Sequence, residues 1–314
     1  MGHWLTFDSI RVSPMSLTAG VGTSWLMSSS FWLNCFAVVL SAVGVFLTLK
    51  KSAKQTDMLD RVIAFGPFFF GWPLAVFGAQ HIVFLNDVVN GVPAWMPWHL
   101  FWALVVGIAL IAAALSLTTG IMAERAALMM GVMLFCFVLM IYVPNLVENP
   151  GSLAVTQLLR DLSMSGGALA LAGTLARNGK WSRFGWIAVL GRYFFAVGIV
   201  DFGVENFVHP EYAPIVPEPG LMMPAWIPAH IVWAWVTGAI LVVCGVSMLI
   251  NWRTRMAGVV AGIAFFALTI LFYLPMEIAH PSIEISGELD QLAQALAMTG
   301  AALLVAGTGK ADYR

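Results

Sequence analysis

The sequence predicts an all-α integral membrane protein with about nine transmembrane helices, built as two parallel four-helix repeats behind one N-terminal helix. Three observations predict it. The chain carries too few charges to cover a water-facing surface. Its apolar runs are long, and its cations collect between alternate runs. Two segments of the chain also align with each other.

Of 314 residues, 60% are hydrophobic and 10% charged, and the mean hydropathy is +0.88. A soluble domain carries about 25% charged residues, so lipid is the expected solvent and the bilayer the first partner. The formal net charge of −1 leaves no basic surface for nucleic acid. Cys35, Cys136 and Cys244 lie singly in apolar runs and read as small hydrophobes rather than a disulfide framework. Residues 1–30 hold Arg11 as their one Lys or Arg and show no small-x-small cleavage site after an apolar core. They are expected to belong to the mature chain.

A helix that crosses a bilayer needs about 20 mostly apolar residues. The first such run lies near Phe31–Leu49. Four follow, near Val62–Phe84, Trp98–Leu117, Ala126–Pro144 and Val155–Leu175. The last four lie near Phe184–Phe207, Ala225–Ile250, Met256–Leu274 and Leu289–Gly307. The fifth is the weakest, because Arg160 and Asp161 sit near its start.

Lys and Arg set the expected orientation. Lys50, Lys51, Lys54, Arg61, Arg125, Arg177, Lys180, Arg183, Arg253, Arg255, Lys310 and Arg314 all fall on one side, and little beyond Arg11 and Arg160 falls on the other. This predicts a multi-pass protein of a cell membrane, of the bacterial inner-membrane type. The C-terminus is then cytoplasmic and the N-terminus outside.

The duplication is read directly. VPAWMPWHLFWA (Val92–Ala103) and MPAWIPAHIVWA (Met223–Ala234) share both prolines, Trp95/Trp226, His99/His230 and Trp102/Trp233. The match continues through Gly107/Gly238 to Tyr142-Val-Pro and Tyr273-Leu-Pro. Asp161–Gly173 aligns with Ala295–Gly307, and Gly78–Phe84 with Gly203–His209. Three units follow: residues 1–58 with one membrane helix, a first repeat over 59–178 and a second over 179–314. Each Pro-Ala-Trp-x-Pro segment is expected to be an interfacial loop entering a helix, with His99 or His230 about one turn inside.

These motifs resemble the DoxX family of small four-span membrane proteins. The first repeat carries Gly78-Ala-Gln-His81, Pro93-Ala-Trp-Met-Pro97 and Asp161-Leu-Ser-Met-Ser-Gly-Gly. The second carries Gly203-Val-Glu205-Asn-Phe207, Pro224-Ala-Trp-Ile-Pro228 and Ala295-Leu-Ala-Met-Thr-Gly. The resemblance covers about residues 62–308. Gln80, Asn206 and Ala295 depart from the family's usual Glu, His and Asp, so the halves diverge in a complementary way. The resemblance implies a redox-associated, quinone-linked membrane subunit serving a membrane redox complex, with its polar site on the extracytoplasmic side. Two other readings stand beside it: a non-catalytic scaffold that binds a partner, and a small-solute or lipid transporter using the repeat interface.

Polar groups inside spans mark function by default. His81, His99, His209, His230 and His280 fall near the outer ends of spans, as do Asp87, Glu148, Asp161, Glu205, Glu277 and Glu284. His81, His99, Glu205, His209 and His230 form the candidate polar site. Glu205 and His209 are spaced i, i+4, and Glu277 and His280 i, i+3. With His230 these five could hold Zn, Fe or Mn, since imidazole with carboxylate suits those ions. Pro210 and Pro281 favour the alternative, in which His209 and His280 are loop residues. Asp161 beside Arg160 reads as a structural pair, and Asp201 lies deeper in its span with no partner evident. No dinucleotide, phosphate-loop or haem-attachment motif is present, and no catalytic residue is assigned.

Overall fold

The protein is described here by a computed structural model. It describes residues 29–177, 179, 182–216, 222–223, 227–280, 282 and 287–309. Within these the chain is helical, with one isolated antiparallel bridge between Tyr212 and Met222. The helices are α1 (Ser29–Ser52), α2 (Met58–Ile63), α3 (Gly66–Val83), α4 (Leu85–Asn90), α5 (His99–Thr119), α6 (Ala123–Phe137) and α7 (Val143–Glu148). Then come α8 (Ser152–Arg177), α9 (Ile187–Val208), α10 (His230–Leu249), α11 (Thr254–Leu268), α12 (Leu274–Ala279) and α13 (Glu288–Ala306).

Seven of the resulting long helices have the length and apolarity of membrane spans: Met58–Val83, His99–Thr119, Ala123–Glu148, Ser182–Val208, His230–Leu249, Thr254–Ala279 and Glu288–Gly309. The protein is therefore a multi-span helical membrane protein. The two remaining expected spans are also helical but stand outside that set. α1 has side chains described from Val38 onward. α8 contains Thr156, Gln157, Arg160, Asp161, Ser163 and Ser165, which lower its apolarity. Its residues from Ser163 to Gly173 are all buried, so the helix meets other helices rather than lipid.

Two spans run further than their sequence suggested. The runs ending near Pro144 and Leu274 continue as helix to Glu148 and Ala279. A π-helical turn precedes each proline, at Val138–Tyr142 and Thr269–Tyr273. Each proline then sits in the first turn of α7 or α12, where it needs no N–H partner. The helix starts differ as well. Trp98 and Ala229 adopt left-handed backbone at φ 57°. α5 and α10 therefore begin at His99 and His230 themselves, not a turn earlier.

The packing partners of α3, α5, α6 and α8 recur in α9, α10, α11 and α13. α3 packs on α5, and α9 on α10; α6 packs on α8, and α11 on α13. α8 packs on α9, α13 packs on α3, and α8 and α13 meet each other. Gly78 and Gly107 cross closely, each under 3.5 Å from the other's carbonyl when a Cβ is built, and Gly203 and Gly238 do the same. At the centre, a Cβ on Gly167 would lie 2.5 Å from that of Ala301. These two residues align with each other in sequence, so a pseudo-twofold axis passes between them. α1 lies outside this ring and is tied to α3, where Trp72 donates to Ser41 Oγ at 2.9 Å.

Candidate functional site

A helix interior that faces other helices must satisfy any polar group it buries. The segment of α8 nearest its start does so with a cluster. Arg160 donates from Nε to Asp161 Oδ1 at 3.1 Å, from Nη1 to Gln294 Oε1 at 3.2 Å and from Nη2 to Tyr142 OH at 3.3 Å. Gln294 Nε2 donates to Asp290 Oδ2 at 2.8 Å. The Tyr142 hydroxyl is also bonded to Asp161. Asp161, Asp290 and Gln294 are each less than a tenth exposed. Asp290 lies close enough to His81 to interact with it electrostatically.

Each member is placed by a local feature. The π-helical turn before Pro144 ends on Tyr142 and turns it toward α8. Arg160 and Gln294 hold corresponding positions in the two aligned segments and meet across the pseudo-twofold axis. His81 sits in the last turn of α3, where Nδ1 is 2.8 Å from the Phe77 carbonyl oxygen. Asn206, aligned with His81, makes the matching bond from Nδ2 to the Phe202 oxygen at 2.6 Å. The positions thus share one local geometry while carrying different chemistry.

The sequence-expected residues disperse. Glu205 and His209 are neighbours at 3.9 Å, but α9 ends at Val208. His209 turns into the following loop, where Nδ1 lies 3.1 Å from Glu211 Oε1 and the ring stacks on Tyr212 at 5.0 Å. Glu211 is exposed, and a bond to its own backbone and then His209 hold its carboxyl below the usual range. Glu277 accepts a bond from the Ser282 backbone, while its Oε2 has no partner among the described residues. His280 is exposed just past the end of α12. His99 and His230 stand half-buried at two separate helix starts. Among the described residues no three His, Cys, Asp or Glu side chains are grouped closely enough to hold a metal ion. Glu205, His209, His230, Glu277 and His280 do not form such a group. Glu284 lies outside the described residues.

Asp161 and Arg160 are paired, as their adjacency suggested, but they belong to a larger cluster. Tyr142, Asp290 and Gln294 carried weaker signals. Tyr142 opens the repeated Tyr-x-Pro motif, and the other two lie near the start of the final span. Asp201, one turn below Glu205 on α9, keeps Oδ2 buried and without a hydrogen-bond partner among the described residues. Comparison with protein-family models, with curated proteins and with solved structures finds no match for this chain.

Proposed function

We propose that this membrane protein is a redox-associated subunit of DoxX-like type that engages a quinone through the cluster around Arg160. One observation carries the reading: a guanidinium, a phenol and an amide stand hydrogen-bonded inside a largely apolar bundle. A quinone needs donors for its carbonyl oxygens and apolar surface for its ring and tail. Arg160 and Tyr142 supply the donor chemistry, and Asp290, bonded to Gln294, stands beside them. Bound there, a quinone would supply two-electron redox chemistry. The chain's own residues would orient it and keep water from the ring.

A transporter working along the repeat interface is less well supported. The contact of Gly167 with Ala301 closes the axis, and a path there would have to part those helices. The test is solvent extraction of detergent-purified protein, with the quinones identified by mass. Stoichiometric quinone in the parent, lost in a folded Arg160→Leu variant, supports the reading. A quinone-free parent that also fails to bind added quinone rejects it and leaves the partner-binding scaffold as the better account.

A further inference from the structure

A carboxylate inside a membrane span is costly and needs compensation. Asp201 lies within the span Ser182–Val208, and its Oδ2 is buried with no hydrogen-bond partner among the described residues. α9 brings it no cation, because the one Lys or Arg of that helix is Arg192, near the opposite end. On α8, Arg160 is engaged with Asp161, Tyr142 and Gln294. Oxygen, not nitrogen, stands across the contact between α8 and α9. Ser163 is fully buried, and its Oγ also has no hydrogen-bond partner among the described residues. That Oγ is aimed at Gly198: a Cβ built there would collide with it and would lie 2.9 Å from the Leu159 carbonyl oxygen. Gly198 and Asp201 are spaced i, i+3 and share a face of α9. A helical side chain leans over the turn before its own Cα, which for Asp201 is the turn that holds Gly198. The missing Cβ thus lets a carboxylate, a hydroxyl and a carbonyl oxygen converge. From there a line of polar groups runs to the end of the helix. Glu205 is one turn further on, with His209 Nε2 3.9 Å from its Oε2, and the exposed Glu211 follows at 3.1 Å from His209 Nδ1.

We propose that the Asp201 carboxylate, the Ser163 hydroxyl and the Leu159 carbonyl bind a sodium ion between α8 and α9, reached along Glu205, His209 and Glu211. Hard cations take oxygen ligands, carbonyl oxygens included. One carboxylate balances one positive charge, so a monovalent ion leaves the site neutral, whereas a divalent ion would bury an excess charge. Glu205, one turn nearer the helix end, draws cations toward the site. The donors are of a different kind from the imidazole and carboxylate set that suits Zn, Fe or Mn. The site shares no residue with the Arg160 cluster and does not depend on quinone binding.

Sodium binding tests it on the full-length protein in detergent, with choline replacing sodium at constant ionic strength. The wild type should bind radioactive sodium saturably, and its thermal midpoint should rise with sodium but not with choline. Asp201→Asn should lose both responses, and Ser163→Ala should weaken them. Glu148→Gln, at an exposed position on α7, should leave both unchanged. A wild type without saturable sodium binding overturns the proposal whether or not the variants fold. So does sodium binding that is unchanged in folded Asp201→Asn and Ser163→Ala proteins. A midpoint that responds to pH and not to sodium also overturns it, by assigning the Asp201 carboxyl a proton in place of the metal ion.

Discussion

At the residue scale, Arg160 is the side chain on which most other groups depend. It holds Asp161, Tyr142 and Gln294 at once. Its removal leaves the buried Asp161 carboxylate without its paired guanidinium. Breaking a buried pair from one side costs about 3–5 kcal/mol. Arg160→Ala should therefore lower the thermal midpoint markedly, whereas Arg160→Lys should recover part of it. Lys restores the charge but not the planar fork that reaches three partners. Equal midpoints for the Ala variant and the wild type would show that the cluster adds no stability. Glu211 allows a pH prediction with a defined sign. Its carboxyl is held below the usual range in the fold, so its contact with His209 is at full strength above the ordinary glutamate pKa and is lost as pH falls through the lowered value. Hydrogen exchange around Tyr212 should be slower in the wild type than in Glu211→Gln at neutral pH, and equal to it in strong acid. No difference at either pH would remove Glu211 from the account of that loop.

At the element scale, helix approach is set by small residues. α8 and α13 touch where Gly167 meets Ala301, and a Cβ on Gly167 would lie 2.5 Å from one atom of Ala301 and 2.7 Å from another. Overpacking of this kind costs about 1–3 kcal/mol. Gly167→Ala should lower the thermal midpoint, while Gly151→Ala, with no atom within 4 Å of the new Cβ, should not. The double variant Gly167→Ala/Ala301→Gly exchanges the pair across the axis and should recover most of the loss. Failure to recover would mean that the two positions are not interchangeable. These elements were largely legible in the sequence, because apolar runs and paired Pro, Trp and Gly positions are local signals. Helix ends were less so. The runs were expected to end near Pro144 and Leu274, yet the helix runs on through a π-helical turn before each proline. Left-handed Trp98 and Ala229 set two helix starts at His99 and His230, and neither residue type announces that conformation.

At the scale of the whole molecule, the cluster was hard to read because its members meet across the chain. Arg160 and Gln294 are 134 residues apart, and no local spacing connects them. His209 and His280 show the converse. They sit near carboxylates in sequence, but each lies just past the end of a helix, where the chain turns away. The packing order has a consequence for assembly. α3 packs on α13 and α9 packs on α8, so the first helix of each four-helix set has its partner in the other set. A half made alone leaves that face without its partner, together with half of the Arg160 cluster. Residues 1–178 and 179–314 expressed as separate chains should therefore be unstable singly and co-purify when made together. The Arg160→Ala change should weaken the recovered complex, because its bond to Gln294 crosses between the two pieces. A first half that is stable and monodisperse on its own would count against this view. It would show that α3 can satisfy its buried face without α13, and that the two sets adhere rather than complete one another.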